Sequence, residues 1–188
     1  MKDYIRKALK YTIVAVGLAF FFISFIPGTW FVKTLPYLAT SALAFAPDFL
    51  RLFGVKISKT FEIWFYVFVV FAMIFGIDLD FYKWEFFPYD KVVHLASGCL
   101  SAAGAKELLD QASGKPDKLW FKALFSMAFV ALVAVLWECF EFMMDQLFGQ
   151  HMQTLISEGV ADTMWDLISA LIGGVIATTF TFPVRGAN

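Results

Sequence analysis

Six long, mostly apolar stretches constrain this chain more than anything else: residues 11–26, 31–49, 61–77, 92–109, 119–147 and 163–182. A helix that crosses the hydrocarbon core of a bilayer needs about 20 mostly apolar residues. A soluble domain has no interior large enough to hide six such segments. Composition agrees, with 60% hydrophobic residues, 24 Phe and a mean hydropathy of +0.71. The expectation is an all-α membrane protein, a bundle of about six transmembrane helices, with one polytopic domain over 1–188. Residues 1–60 carry the less specific helices, and 78–182 carry helices four to six with the motifs. The second stretch is the weakest, because Pro36 and Pro47 interrupt it, and it reads as kinked or re-entrant.

Positive charge orients the bundle. Lys2, Arg6, Lys7 and Lys10 put the N-terminus in the cytoplasm. With six crossings, Arg51, Lys56 and Lys59 fall on the same side, as do Lys106, Lys115, Lys118 and Lys122, and Arg185 in the tail. Residues 78–90 and 149–162 are acidic or poor in Lys and Arg and fall outside. The basic start followed by 11–26 has the outline of a signal peptide. No small-residue cleavage site follows, and Pro27-Gly28-Thr29-Trp30 reads as a turn, so the stretch is taken as a retained helix. No basic face suited to nucleic acid occurs. Cys99 and Cys139 lie in apolar segments and read as free, buried thiols. Small residues four apart (Ser97, Ser101 and Ala105; Gly98 and Ala102; Ala170, Gly174 and Thr178) predict close packing of the fourth and sixth helices. The Phe- and Val-rich stretch 61–77 is expected to face lipid.

Three short segments carry the unusual polar residues, and the charge topology brings all three to the outer surface. Tyr89-Asp90-Lys91-Val92-Val93-His94 opens the fourth helix, with Asp90 and His94 on one face. In the fifth helix Glu138, Glu141 and Asp145 fall within an arc of about 60°. Asp162 and Asp166 share a face at the start of the sixth. Between Lys122 and Arg185 there are six carboxylates, Glu158 among them, and no Lys or Arg. Carboxylates in an apolar segment must be protonated, hydrated, paired with a cation from elsewhere, or metal-bound. Lys83 and Lys91 are the only outer-side basic partners, too few for the acids present.

One His with several carboxylates suits a divalent ion such as Zn, Mn or Fe. The expected ligands are His94, Glu141, Asp162 and Asp166, and Glu138, Asp145 and Asp90 are the candidate catalytic groups. Such a site would serve a metal-dependent hydrolase or transferase acting on an envelope or lipid-linked substrate. The lack of an outer-side Arg argues against a phosphate. Two other readings stay open. The same acids would serve a transporter or proton relay, or form a structural network in a small-ligand-binding membrane protein. Asp90 and Asp162 also suit helix N-termini. Trp84, Tyr89, Trp137 and Trp165 read as interfacial aromatics, and His151 and Gln153 as a solvated loop.

The segments Tyr89–His94, Trp137-Glu138 with Glu141 and Asp145, Gln153, and Gly159 with Asp162-Thr163-Met164-Trp165-Asp166 resemble the YjdF-like family of bacterial inner-membrane proteins. The likeness spans the C-terminal half, and the N-terminal half matches only as a hydrophobic pattern. A fainter likeness to VanZ-like membrane proteins rests on Asp90-Lys91 with His94 and a later acidic helix. The resemblance implies a multi-pass protein of the bacterial inner (cytoplasmic) membrane with six helices, and implies no reaction.

Overall fold

The structure, a computed structural model, describes residues 1–26, 34–79, 81–83, 86–112, 118–149, 153 and 160–182. Among these residues it is all-helical, without strands. The elements are α1 (Lys2–Ile23), α2 (Thr34–Leu43), α3 (Ala46–Leu52), α4 (Lys59–Val69) continuing as a π-helix (Val70–Asp78), a 3-10 turn (Phe81–Lys83), α5 (Tyr89–Gln111), α6 (Leu119–Phe148) and α7 (Val160–Thr181). Among the described residues three helices are long and apolar enough to cross a membrane: Lys59–Ile77, Leu119–Phe148 and Val160–Thr181. They coincide with the third, fifth and sixth expected spans. The apolar part of α1 after Lys10 is only about 20 Å long. In α5, charged residues stand at both ends. The second stretch is broken as expected. Pro36 sits harmlessly in the first turn of α2, whereas α3 starts afresh around Pro47, whose ring cannot continue a preceding helix.

The chain forms two compact units, Met1–Tyr89 and Asp90–Asn188. In the first, α1 packs on α2 and α4. Gly17 permits the α1–α2 approach, since a Cβ there would lie 2.9 Å from the Tyr37 carbonyl oxygen. Phe20 stacks on Tyr37 with centroids 5.4 Å apart. Charge fixes the other end. Glu62 on α4 is 2% exposed and accepts hydrogen bonds from Arg6 on α1 at 3.0 Å, from Arg51 on α3, and from the Tyr66 hydroxyl at 2.9 Å. Asp48 pairs with Lys10 and Arg51, and Lys10 also lies 4.3 Å from the centre of the Phe45 ring. Arg6 and Arg51, both read as topology markers, therefore clamp three helices onto one buried carboxylate.

Two expectations are corrected in this unit. The stretch around 61–77 is not the most lipid-exposed: 39% of its apolar window is buried, against 17% for α6 and 28% for α7. Tyr66, Val69, Ala72 and Met73 are inside, because the Glu62 clamp turns this helix toward α1. Tyr89 is not interfacial. It is buried among Phe71, Phe81 and Tyr82, and its hydroxyl donates to the Phe71 carbonyl at 2.6 Å, inside the π-helix. Trp165 is 60% exposed. Lys115, Trp84, His151, Glu158, Gly159 and Arg185 lie outside the described residues.

In the second unit α5 and α7 touch through their backbones. A Cβ on Gly98 would stand 1.9 Å from the Ala170 carbonyl oxygen, and one on Gly173 would stand 2.0 Å from that of Leu95. Cys99 donates to the Gly173 carbonyl at 3.2 Å. Gly174 meets Val130 of α6, and Ser126 and Thr178 share a buried hydrogen bond at 2.9 Å between α6 and α7. The small-residue spacing thus marks a contact surface, as expected for helices that gain nothing from excluding lipid and associate by close packing. Both cysteines are free, and Cys139 is exposed rather than buried, since it lies on the outward face of α6.

Two consequences are measurable as shifts in thermal unfolding of the detergent-solubilised protein. Glu62→Ala should destabilise the first unit by about 2–3 kcal/mol, less than a fully buried pair because both guanidinium groups keep some access to water. Gly98→Ala should cost about 1–3 kcal/mol, since its methyl meets backbone that cannot rotate away. An unchanged midpoint in either variant would refute the corresponding contact.

Candidate functional site

The second unit gathers the motif residues at one end. The N-termini of α5 and α7 and the last turns of α6 meet there. The α5–α7 backbone contact sets the spacing: Gly98 is one turn beyond His94, and Ala170 is one turn beyond Asp166. Two helices held this closely and running the same way must bring His94 and Asp166 together one turn earlier. The His94 Nε2 lies 3.6 Å from Asp166 Oδ1 and 3.5 Å from Asp90 Oδ1. Ligand atoms from Asp90, His94 and Asp166 all lie within 4.8 Å of one another. His94 and Asp166 are buried, and Asp90 is partly so. Asp90 and Asp162 lie in the first turns of their helices, where the helix dipole favours negative charge.

Behind His94 stands Glu138 of α6. Its Oε1 is 3.8 Å from His94 Nδ1, is fully buried, and has no hydrogen-bond partner among the described residues. An unsatisfied buried carboxylate oxygen is costly, and at this position a shift of under 1 Å would let it accept from the imidazole. That contact would place the proton on Nδ1 and leave Nε2 as the free lone pair, facing Asp90 and Asp166. Carboxylate, imidazole and metal commonly stand in this order in metal centres.

Lys91 was underrated by the sequence reading. Its Nζ donates to Asp162 Oδ1 at 2.5 Å, to Asp166 Oδ1 at 2.7 Å and to Asp90 Oδ2 at 3.0 Å. One lysine thus bonds three carboxylates, although its single charge offsets only one of theirs. The available signal was its position beside Asp90 at a helix start, with Asp162 and Asp166 at another helix start expected on the same surface. The remaining expected site residues are placed as follows. Glu141 accepts from the Trp137 indole of its own helix at 2.6 Å. Asp145 accepts from the Gln153 backbone N–H at 2.9 Å. The Gln153 side chain also reaches Thr163 at 3.3 Å, so this residue ties the end of α6 to the start of α7 rather than lying in solvent. Neither Glu141, Asp145 nor Asp162 belongs to the three-residue group around His94.

The fold and this cluster define a helical membrane protein with a buried acid–histidine centre. The chain belongs to the family described as "Predicted membrane protein (DUF2238)", which it matches over residues 7–186. This is the YjdF-like family that the motifs resemble, and the match takes in the N-terminal half as well as the motif-bearing one. It lends nothing to the VanZ-like likeness. No curated protein and no solved structure matches the chain.

Proposed function

We propose that the chain is a multi-pass protein of the bacterial inner membrane that holds a divalent metal ion at its extracytoplasmic face and acts as a hydrolase or transferase on an envelope or lipid-linked substrate. In this reading the whole of 1–188 is one membrane domain with six helical crossings and cytoplasmic termini, as the distribution of Lys and Arg favours. The observation that carries the metal is the convergence of Asp90, His94 and Asp166 ligand atoms within 4.8 Å, with the unpartnered Glu138 oxygen behind the imidazole. Asp90 is here assigned as a ligand with His94 and Asp166, and Glu138 as the group that orients His94. Asp162 holds Lys91, while Glu141 and Asp145 brace α6 through Trp137 and Gln153. A divalent ion in this position would polarise a substrate oxygen and ease deprotonation of water at neutral pH. Burial of His94 and Asp166 limits competing solvent, and α5 and α7 keep their spacing rigid.

The Lys91 contacts favour a second reading, a proton or solute relay, because an ammonium ion bonds three of the acids and offsets one of their charges without any metal. Elemental analysis of the purified protein, loaded with Mn or Zn and then desalted, separates the two. Near-stoichiometric metal is expected, lost in folded His94→Ala and Asp166→Ala. Glu138→Gln should retain it with about 10- to 100-fold lower affinity. Metal kept by the His94 and Asp166 variants, or none in the loaded wild type, would reject the metal reading. Proton flux in liposomes that depends on Glu138 would then favour the relay.

A further inference from the structure

The ammonium of Lys91 and a metal ion in the proposed centre would compete for one atom. Asp166 Oδ1 accepts from Lys91 Nζ at 2.7 Å, and the same oxygen is the one that faces His94 Nε2. An ion ligated by this oxygen at about 2 Å would stand no more than about 5 Å from the ammonium. With little water between them, a dication and an ammonium that close repel strongly. Asp90 presents no such conflict, because it uses its two oxygens separately. Its Oδ2 holds Lys91 at 3.0 Å, and its Oδ1 faces His94. Asp162 holds Lys91 most tightly, at 2.5 Å, and stands outside the three-residue group. Giving up Asp166 alone would therefore leave the ammonium with two carboxylates.

Resting on the metal reading above, we propose that Lys91 is a tethered cation that fills the centre in place of a metal ion, and that metal binding moves its ammonium off Asp166 and onto Asp162 and Asp90. The acids then face a cation in both states. In an empty centre the ammonium offsets one of the three charges it touches, and a loaded centre does not carry an unpaired ammonium. The exchange also discriminates among ions. A monovalent cation must shed its hydration shell to offer the acids no more charge than Lys91 already supplies, whereas a dication offers twice that charge. Asp162 becomes a positioning residue for Lys91 and not a ligand, although its place beside Asp166 on α7 makes it look like one in the sequence.

A double-mutant cycle on the full-length, detergent-solubilised protein tests this, with Mn²⁺ binding followed by electron paramagnetic resonance. Lys91→Met should bind Mn²⁺ roughly 10- to 100-fold more tightly than wild type, the worth of the charge-assisted hydrogen bond that no longer has to be broken. Lys91→Gln should move the same way and serves where the Met variant does not fold. Asp162→Asn should bind about tenfold more weakly in the wild-type background, because the displaced ammonium has lost its better acceptor. In the Lys91→Met or Lys91→Gln background, Asp162→Asn should have no effect. Unchanged or weaker binding in both Lys91 variants would overturn the exchange. So would an Asp162→Asn loss that persists without Lys91, which would make Asp162 a ligand. No saturable Mn²⁺ binding in wild type or in any variant would instead reject the metal reading itself. Asp166→Asn, expected to abolish binding in every background, marks that the signal comes from this centre.

Discussion

Ionised side chains inside an apolar bundle need counter-charges, and Glu62, Asp162 and Asp166 have none on their own helices among the described contacts. Both units meet that requirement across helices. Glu62 draws Arg6 from α1 and Arg51 from α3. Asp162 and Asp166 draw Lys91 from α5. An ion pair of this kind contributes little net stability compared with apolar packing, yet breaking it is expensive, because one charge is left buried alone. Its effect is to exclude alternatives: a helix rotated by a quarter turn, or slid by one turn, would strand a carboxylate. The charges thus choose the arrangement that close packing then makes rigid.

Packing and charge converge at the α5–α7 seam. The backbone contact of Gly98 with Ala170 lies one turn below His94 and Asp166, so the distance between these two side chains follows from how closely the helices approach. Larger residues at either position would part the helices by a few ångströms and dissolve the cluster without touching any of its members. Both helices also point their N-termini at the acids, and the partial positive charge of two helix starts adds to that of Lys91. The centre is consequently held by three separate devices, and only the acids and the histidine announce themselves as functional residues.

The first unit adds a lesson about basic residues near membrane helices. Arg6, Lys10 and Arg51 match the charge bias expected to orient the chain. That bias does not account for their bonds. Their geometry around Glu62 and Asp48 makes them structural as well, which is why the apolar stretch that follows Glu62 is the most enclosed of the three long apolar helices and not the most exposed. Hydrophobicity alone told lipid from water. It did not tell lipid from the interior of the protein, since in a bilayer both surroundings are apolar.

The sequence by itself determined the helical class, the membrane character, the break at Pro47, the small-residue face of the helices that start at Tyr89 and Val160, and the three acid-bearing segments. Each of these is written locally, in the run length of apolar residues, in a ring that cannot continue a helix, or in spacings of three and four along one helix. Only the tertiary structure decided which carboxylates of other helices share His94, that Lys91 bonds Asp162 and Asp166, and that Glu138 keeps an oxygen without a partner among the described residues. Those outcomes depend on the rotation and depth of one helix against another. They arise from contacts more than 40 residues apart in the chain, such as Lys91 with Asp162 and Asp166, for which helical periodicity has no register.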